Sequence, residues 1–283
     1  MYVFDAHCDY LWSKQVKGQS VLECKNENES KIKKSIFAVF EGKNAHRELV
    51  NRQIDEFSKQ KPVEEAFIAF EGLSWAENRG DADILQALSP VYVGPMWNRK
   101  NHFGGSCYED GELTPFGKCF LSQLDENGIF IDLAHSGERM FFSCFDEFEN
   151  LMFSHGNVYS VCPHKRNLKT NQIKKLIQRD CFLGLTLFAD FVGDEKIEKL
   201  LEHVEAVLDA GGENILGFGS DLDGCESIVG KNKNLRVFEE IQEELSRRNY
   251  SKTLKEKIFH GNLERCLNKN KKIGQREKKS LTK

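Results

Sequence analysis

Ile129-Phe130-Ile131-Asp132-Leu133-Ala134-His135, followed after residues 137–150 by Leu151-Met152-Phe153-Ser154-His155, is the stretch whose reading decides the fold. Between the two apolar runs, Met140, Phe141, Cys144, Phe145 and Phe148 recur at helical spacing. Two short strands joined by a helix of that length run parallel, because the connection crosses over instead of turning back. Both histidines then fall just past the ends of their strands at one C-terminal edge of a sheet, where neutral imidazole nitrogens can converge on a metal. The alternative is two unrelated histidines, one capping a helix and one satisfied in the core. Either histidine alone suits that alternative; the shared phase of the pair favours the metal.

The length of 283 residues suits one (β/α)8 barrel, which needs roughly 250. With 40 Lys and Arg against 44 Asp and Glu, the net charge is −4, and nothing in that balance points to nucleic acid as a partner. No apolar run approaches the ~18 residues needed to cross a bilayer. Met1-Tyr2-Val3-Phe4 enters the first strand directly, which leaves no room for a signal peptide and predicts a cytoplasmic protein with no membrane partner. Nine cysteines without a CxxC pair agree with a reducing compartment and with buried thiols.

Taken in order, residues 2–4, 35–40, 66–70, 90–96, 129–133, 151–154, 182–188 and 215–219 are strand candidates. Helical spacing marks 46–59, 84–88, 137–150, 171–179, 196–209, 235–248 and 252–267, and Thr114-Pro115 reads as the N-cap and first position of a helix to about 126. Residues 13–34 read as a polar surface loop with at most a helical turn. The Gly- and Asn-rich segment 97–112 is either a substrate lid or a plain connection. Eight strands alternating with helices predict an α/β fold, a (β/α)8 TIM barrel of the metal-dependent hydrolase type, over 1–267 as a single domain. The Lys-rich segment 268–283 reads as a flexible tail.

Chemistry in such a barrel sits at the C-terminal ends of the strands. Those ends carry His7 and Asp9, two apart and so on one face of an extended chain, then Glu71, His135, His155 and Asp221. A carboxylate such as Glu71 at the end of an apolar strand needs either a cation or a turn into solvent beside Gly72. With Glu71 shared, the ligands divide into His7, Asp9 and Glu71 for one ion and Glu71, His135 and His155 for the other, a two-metal site with ions ~3.5–4 Å apart. Mixed imidazole and carboxylate ligation predicts two Zn2+ per chain, with Mn2+ or Co2+ as substitutes. His203 and His260 fall within helices and are assigned no metal role.

Asp5-Ala6-His7-Cys8-Asp9, Phe70-Glu71-Gly72, Leu113-Thr114-Pro115-Phe116-Gly117, Ile131-Asp132-Leu133-Ala134-His135, Phe153-Ser154-His155 with Arg166-Asn167, Gly217-Phe218-Gly219-Ser220-Asp221-Leu222-Asp223-Gly224 and Gly261-Asn262-Leu263 together resemble the membrane (renal) dipeptidase family of zinc peptidases. The resemblance runs in family order from residue 2 to about 267, and the short chain resembles a bacterial cytosolic member. It implies a binuclear zinc barrel that cleaves small dipeptides and is often a homodimer. Carried over, His7 and Asp9 are ligands of one zinc, His135 and His155 of the other, and Glu71 the bridge. Arg166 holds the substrate's C-terminal carboxylate, and Asp221 passes a proton from the attacking water to the leaving amine. Vertebrate members place an oxyanion-stabilising histidine shortly after strand four, where this chain has Trp97. Either the indole N–H or a neighbour such as Asn98 supplies that donor, or the substrate preference differs.

The expected chemistry is attack on the scissile carbonyl by a metal-bridging hydroxide, with Asp221 as general acid and base. Two other readings share these residues. One is a metal-dependent barrel hydrolase of cyclic amides, lactones or phosphodiesters; the other is a catalytically silent barrel that binds a peptide or metabolite.

Overall fold

In the computed structural model, residues 1–23, 31–44, 46–59, 61–231 and 235–269 are described. Strands and helices alternate through β1 (Val3–Cys8), α1 (Tyr10–Lys17), β2 (Ile32–Phe40), α2 (Arg47–Phe57), β3 (Glu65–Glu71), α3 (Arg79–Leu88), β4 (Tyr92–Gly94), α4 (Pro115–Glu126), β5 (Phe130–Asp132), α5 (Glu138–Glu147), β6 (Leu151–Gly156), α6 (Thr170–Gln178), β7 (Leu183–Leu185), α7 (Ala189–Val192), α8 (Ile197–Asp209), β8 (Leu216–Phe218), α9 (Val237–Arg247) and α10 (Lys252–Glu256). The eight strands are parallel in the order β1 to β8. β8 returns to β1: Cys8 bridges Leu222, Asp221 N donates to His7 O (3.1 Å), and Asp9 N donates to Leu222 O (2.9 Å). The TIM barrel expected from the alternation is therefore the fold.

Local chemistry sets the helix ends. Thr114 accepts from Gly117 N ahead of Pro115, as the sequence predicts, Asn78 and Asp81 form a capping box on α3, and Ser251 caps α10. Two cores result. The larger packs the helices on the outer faces of the strands, and a smaller one fills the barrel with Phe4, Ile36, Tyr92, Phe130, Met152 and Phe182. Leu263 and Cys266 join this inner core, and Asn262 Nδ2 donates to Glu213 O and Leu216 O, tying the C-terminal segment to β8.

The structure corrects the reading in several places. Residues 13–34 are not one loop. Tyr10 and Leu11 bury the face of α1, which stops at Gly18 in a left-handed conformation (φ 73°), and β2 already begins at Ile32. β7 ends at Leu185 instead of Phe188, and the residues beyond it lead into α7, too short to show a periodicity. Helical geometry continues to residue 269, and the rest of the expected tail lies outside the described residues. The segment 97–112 is a packed connection: Phe103 is fully buried against Phe116 and Phe120, and Cys107 N donates to His135 O (2.8 Å).

Gly184 on β7 and Gly219 just past β8 are needed for close approach, since a Cβ at either would collide with the Ser154 carbonyl of β6. Gly184→Ala is expected to cost at least about 2 kcal/mol through overpacking and to lower Tm by about 4 °C or more. A calorimetric Tm within 1 °C of the parent would show that β6 and β7 do not need this closeness.

Candidate metal centre and active site

Each barrel strand that ends near the site delivers its residue by a distinct local device. His7 lies within β1 with Asp9 just beyond, Glu71 is the last residue of β3, and His155 lies within β6. His135 follows β5 in a left-handed conformation (φ 66°), as does Asp221 after β8 (φ 62°), a backbone state that non-glycine residues adopt at some strain. Asp132 Oδ1 accepts from Ala134 N (3.2 Å) and shapes the first of these turns; Asp5 accepts from Ser220 N and Oγ (2.8 and 2.6 Å) and shapes the second.

Three overlapping groups of ligand atoms form at the rim: His7, Asp9 and Glu71; Glu71, His135 and His155; and His7, His155 and Asp221. His7, Asp9, Glu71, His135 and His155 are all buried. Glu71 Oε1 lies 2.7 Å from His135 Nε2 and 3.6 Å from His155 Nε2, while Oε2 lies 3.8 Å from His7 Nε2. Thus Glu71 does not turn into solvent beside Gly72.

Whether these residues fit metal ions can be judged from their hydrogens. His135 Nδ1 faces Asn98 Oδ1 (2.9 Å) and His155 Nδ1 faces Ser154 Oγ (2.7 Å). With each Nδ1 donating, each ring turns a bare Nε2 towards the other at 3.2 Å, with Glu71 Oε1 beside both. Three acceptors facing one another without a hydrogen repel unless a cation lies among them. On the other side, His7 Nε2 and Asp9 Oδ1 have no hydrogen-bond partner, and His7 Nε2 stands 3.5 Å from Asp9 Oδ2. That is too long for a hydrogen bond but close to the roughly 3.4 Å between donors that share one ion at about 2.1 Å. The residues fit divalent metal ions.

The electrostatics agree. Burial, then the positive charges of Arg166 and His7, holds the His135 imidazole well below its ordinary pKa; burial, then His7 and Arg166, does the same for His155. Burial also raises Glu71, and burial with the neighbouring Asp9 carboxylate raises Asp221 well above the usual range. At His7 burial opposes a charge, yet Glu71, Asp9 and Asp221 outweigh it and lift the pKa to about 10. The cluster of acids draws positive charge to this spot.

Above the rim opens a cavity of about 550 Å³, walled by Trp12, Phe40, Trp97, Phe188 and Phe191, with Lys17 and Lys43 in its lining. Trp97 packs its ring 5.0 Å from Phe40 and 6.4 Å from His135. Among the described residues its indole nitrogen takes no hydrogen bond. Arg166, a surface charge by its sequence context alone, is only 3% exposed. Its Nη2 donates to His155 O (3.3 Å), its guanidinium lies over Phe191, and its Nε has no partner. It lines an adjoining cavity of about 280 Å³ with Cys107, Ser136 and Lys165, not the larger one.

The five expected ligands and Asp221 therefore gather at one rim, with Trp97 in the cavity above it and Arg166 in the adjoining one. Missed were Tyr92, whose phenol meets His7 Nδ1 (2.7 Å), Ser154 and Asp132; Asn98, one of the alternatives for the oxyanion donor, sets its oxygen on His135 Nδ1, which leaves its amide N–H out of that contact. The inward phase of Tyr92 on β4 and of Asp132 on β5 was the available signal. His203 is buried, with Nδ1 accepting from Val158 N and Nε2 engaged by Val192 O.

Comparison with known proteins bears on this arrangement. A dipeptidase named tcpJ from Claviceps purpurea is 25% identical over 193 residues, covering 65% of this chain and 45% of its own. An uncharacterized protein encoded 5′ of pqqA in Klebsiella pneumoniae is 25% identical over 171 residues, 54% of this chain and 63% of that one. The chain thus spans about half the length of the curated relatives it matches. Among solved structures, a metallopeptidase from Rhodobacter sphaeroides, liganded with a phosphinate mimic of the dipeptide L-Ala-D-Ala, has the same fold: TM-score 0.85 at 19% identity, over 95% of this chain and 99% of that one. No helix among the described residues is long and apolar enough to cross a membrane. The model of the membrane dipeptidase family (peptidase family M19) matches residues 51–281, and the chain belongs to that family.

Proposed function

We propose that this protein is a zinc-dependent dipeptidase with two ions per chain, held by His7, Asp9 and Glu71 on one side and by Glu71, His135 and His155 on the other. The observation that carries the reading is Glu71, whose two oxygens face in different directions, Oε2 to His7 and Oε1 to His135 and His155. Two divalent ions, when bound, acidify water to a nucleophile near neutral pH and polarise a carbonyl.

The chain's own residues do the rest. Asp221 lies in one cluster with His7 and His155, and burial beside Asp9 raises the proton affinity of its carboxylate. It takes the proton of the attacking water and returns it to the leaving amine. The unpartnered Nε of Arg166, with the planar guanidinium fixed over Phe191, suits a bidentate grip on a C-terminal carboxylate. Trp97, in the wall of the cavity, would offer its indole N–H to the oxygen that gains charge. A substrate seated between the aromatic walls would displace water, which strengthens each of these interactions. The proposed setting is the cytosol, where the nine cysteines would stay reduced.

Zinc reconstitution followed by mass spectrometry is expected to give about two ions per chain, and a panel of dipeptides, lactones and bis-aryl phosphates to be cleaved only at the dipeptides. Less than one ion per chain points to the silent barrel, and preference for a lactone or phosphate to the other hydrolases. Glu71→Gln should lower kcat/KM at least about a hundredfold, ~2.7 kcal/mol of transition-state stabilisation, with the circular dichroism unchanged; near-normal turnover contradicts the bridge. Arg166→Lys keeps the charge but loses the fork, so KM for dipeptides should rise about tenfold. An unaltered KM would remove Arg166 from the substrate site.

A further inference from the structure

Beneath the rim, inside the barrel, lies a buried polar chain that the proposed reaction does not use. Its anchor is Asp132, 2% exposed, beside which Gly94 of β4 leaves room. Asp132 Oδ1 accepts from Ser154 N (2.7 Å) and Ala134 N (3.2 Å), and Oδ2 is 2.5 Å from Ser154 Oγ. A carboxylate cannot donate, so the single Ser154 hydroxyl proton points to Asp132. The contact of Ser154 Oγ with His155 Nδ1, at 2.7 Å, then requires the ring nitrogen to be the donor. His155 is thereby fixed with Nδ1 protonated and Nε2 bare.

The same reasoning extends to the other half of the site. The Tyr92 phenol is 2.7 Å from His7 Nδ1, 3.2 Å from Ala6 O, and interacts with the Ser154 hydroxyl. Ala6 O can only accept, and the proton of Ser154 is already placed. The phenol proton therefore goes to that side, and His7 Nδ1 donates to the phenol oxygen. Tyr92 and Ser154 are both fully buried, so water cannot substitute for either partner.

We propose that Ser154 and Tyr92, oriented by Asp132, are positioning residues that hold His155 and His7 in the tautomer that presents Nε2 to the metal centre, and that Ser154 links the two halves of that centre. Partners that fix the second nitrogen of a ligating histidine are worth about 10–100-fold in metal affinity. The usual partner is a carboxylate or a carbonyl; here a hydroxyl stands between, so one anion serves two rings on different strands. The inference rests on the metal-site reading above.

The test is stepwise titration of the metal-free protein with Co2+, followed by absorption and by competition with a chelator. Tyr92→Phe, which deletes one oxygen from a packed ring, should weaken one binding step by about 10–100-fold and leave the other unchanged. Ser154→Ala should weaken both. In the metal-free protein, ¹⁵N spectra of the imidazoles should show His155 protonated at Nδ1, and a mixture of tautomers in Ser154→Ala. Parent-like affinities in both variants, or an unchanged His155 tautomer in Ser154→Ala, overturn the proposal. If Ser154→Ala fails to fold, Tyr92→Phe still decides: equal loss or no loss at both steps contradicts it. A parent protein that binds no Co2+ at all would instead refute the metal-site reading.

Discussion

The constraint on which the rest of this structure depends is a set of buried acceptors that face one another with no hydrogen to share. Glu71 Oε1 and the bare Nε2 atoms of His135 and His155 crowd one point, and His7 Nε2 and Asp9 Oδ1 stand unpartnered a few ångströms away. Removed from water, such a set opposes folding unless positive charge is supplied. Among the described residues, the three groups that could hold a metal ion all lie at this one rim. Nothing in barrel packing requires it; a metal centre does.

The scaffold around the rim keeps these groups from relaxing apart. Two aspartate and serine pairs brace neighbouring strands in the same way: Asp5 with Ser220 joins β1 to β8, and Asp132 with Ser154 joins β5 to β6. Each pair shapes the turn that throws the next residue, Asp221 or His135, into a left-handed conformation. Glycines at 184 and 219 let the strands approach the Ser154 carbonyl closely enough for His155 to reach the same point as His7, which stacks on it with ring centroids 3.9 Å apart. Bracing and crowding together give the preorganisation that a site of this kind needs.

Above the rim, aromatic side chains join Lys17, Lys43 and Glu226 in the cavity wall. Trp12, Phe40, Trp97, Phe188 and Phe191 make a cavity in which a polarised carbonyl would feel the rim more strongly than in water. Arg166 lies to one side in the adjoining cavity, its guanidinium laid on Phe191 and its backbone N–H donating to His164 Nδ1 (3.2 Å).

How much of this was legible in the sequence follows from which interactions are local. Short apolar runs such as 66–70 and 151–154 marked the strands, along which side-chain direction repeats every two residues. The positions of His7, Asp9, Glu71, His135, His155 and Asp221 at strand ends followed from that phase and from the rule that barrel chemistry gathers at one edge. Short elements escaped: α7 spans too few residues for a period, and α1 is held by Tyr10 and Leu11 against a core that the chain order does not display. So did every contact made across the barrel. That Tyr92 would meet His7, that Ser154 would stand between Asp132 and His155, and that Arg166 would be buried against Phe191 depend on strand register and barrel closure, which bring together residues up to 85 positions apart. By itself the sequence determined which residues stand at the rim; only the tertiary structure decided which of their atoms face one another and which protons are left between them, because hydrogen-bond direction is set by distances that no spacing along the chain encodes.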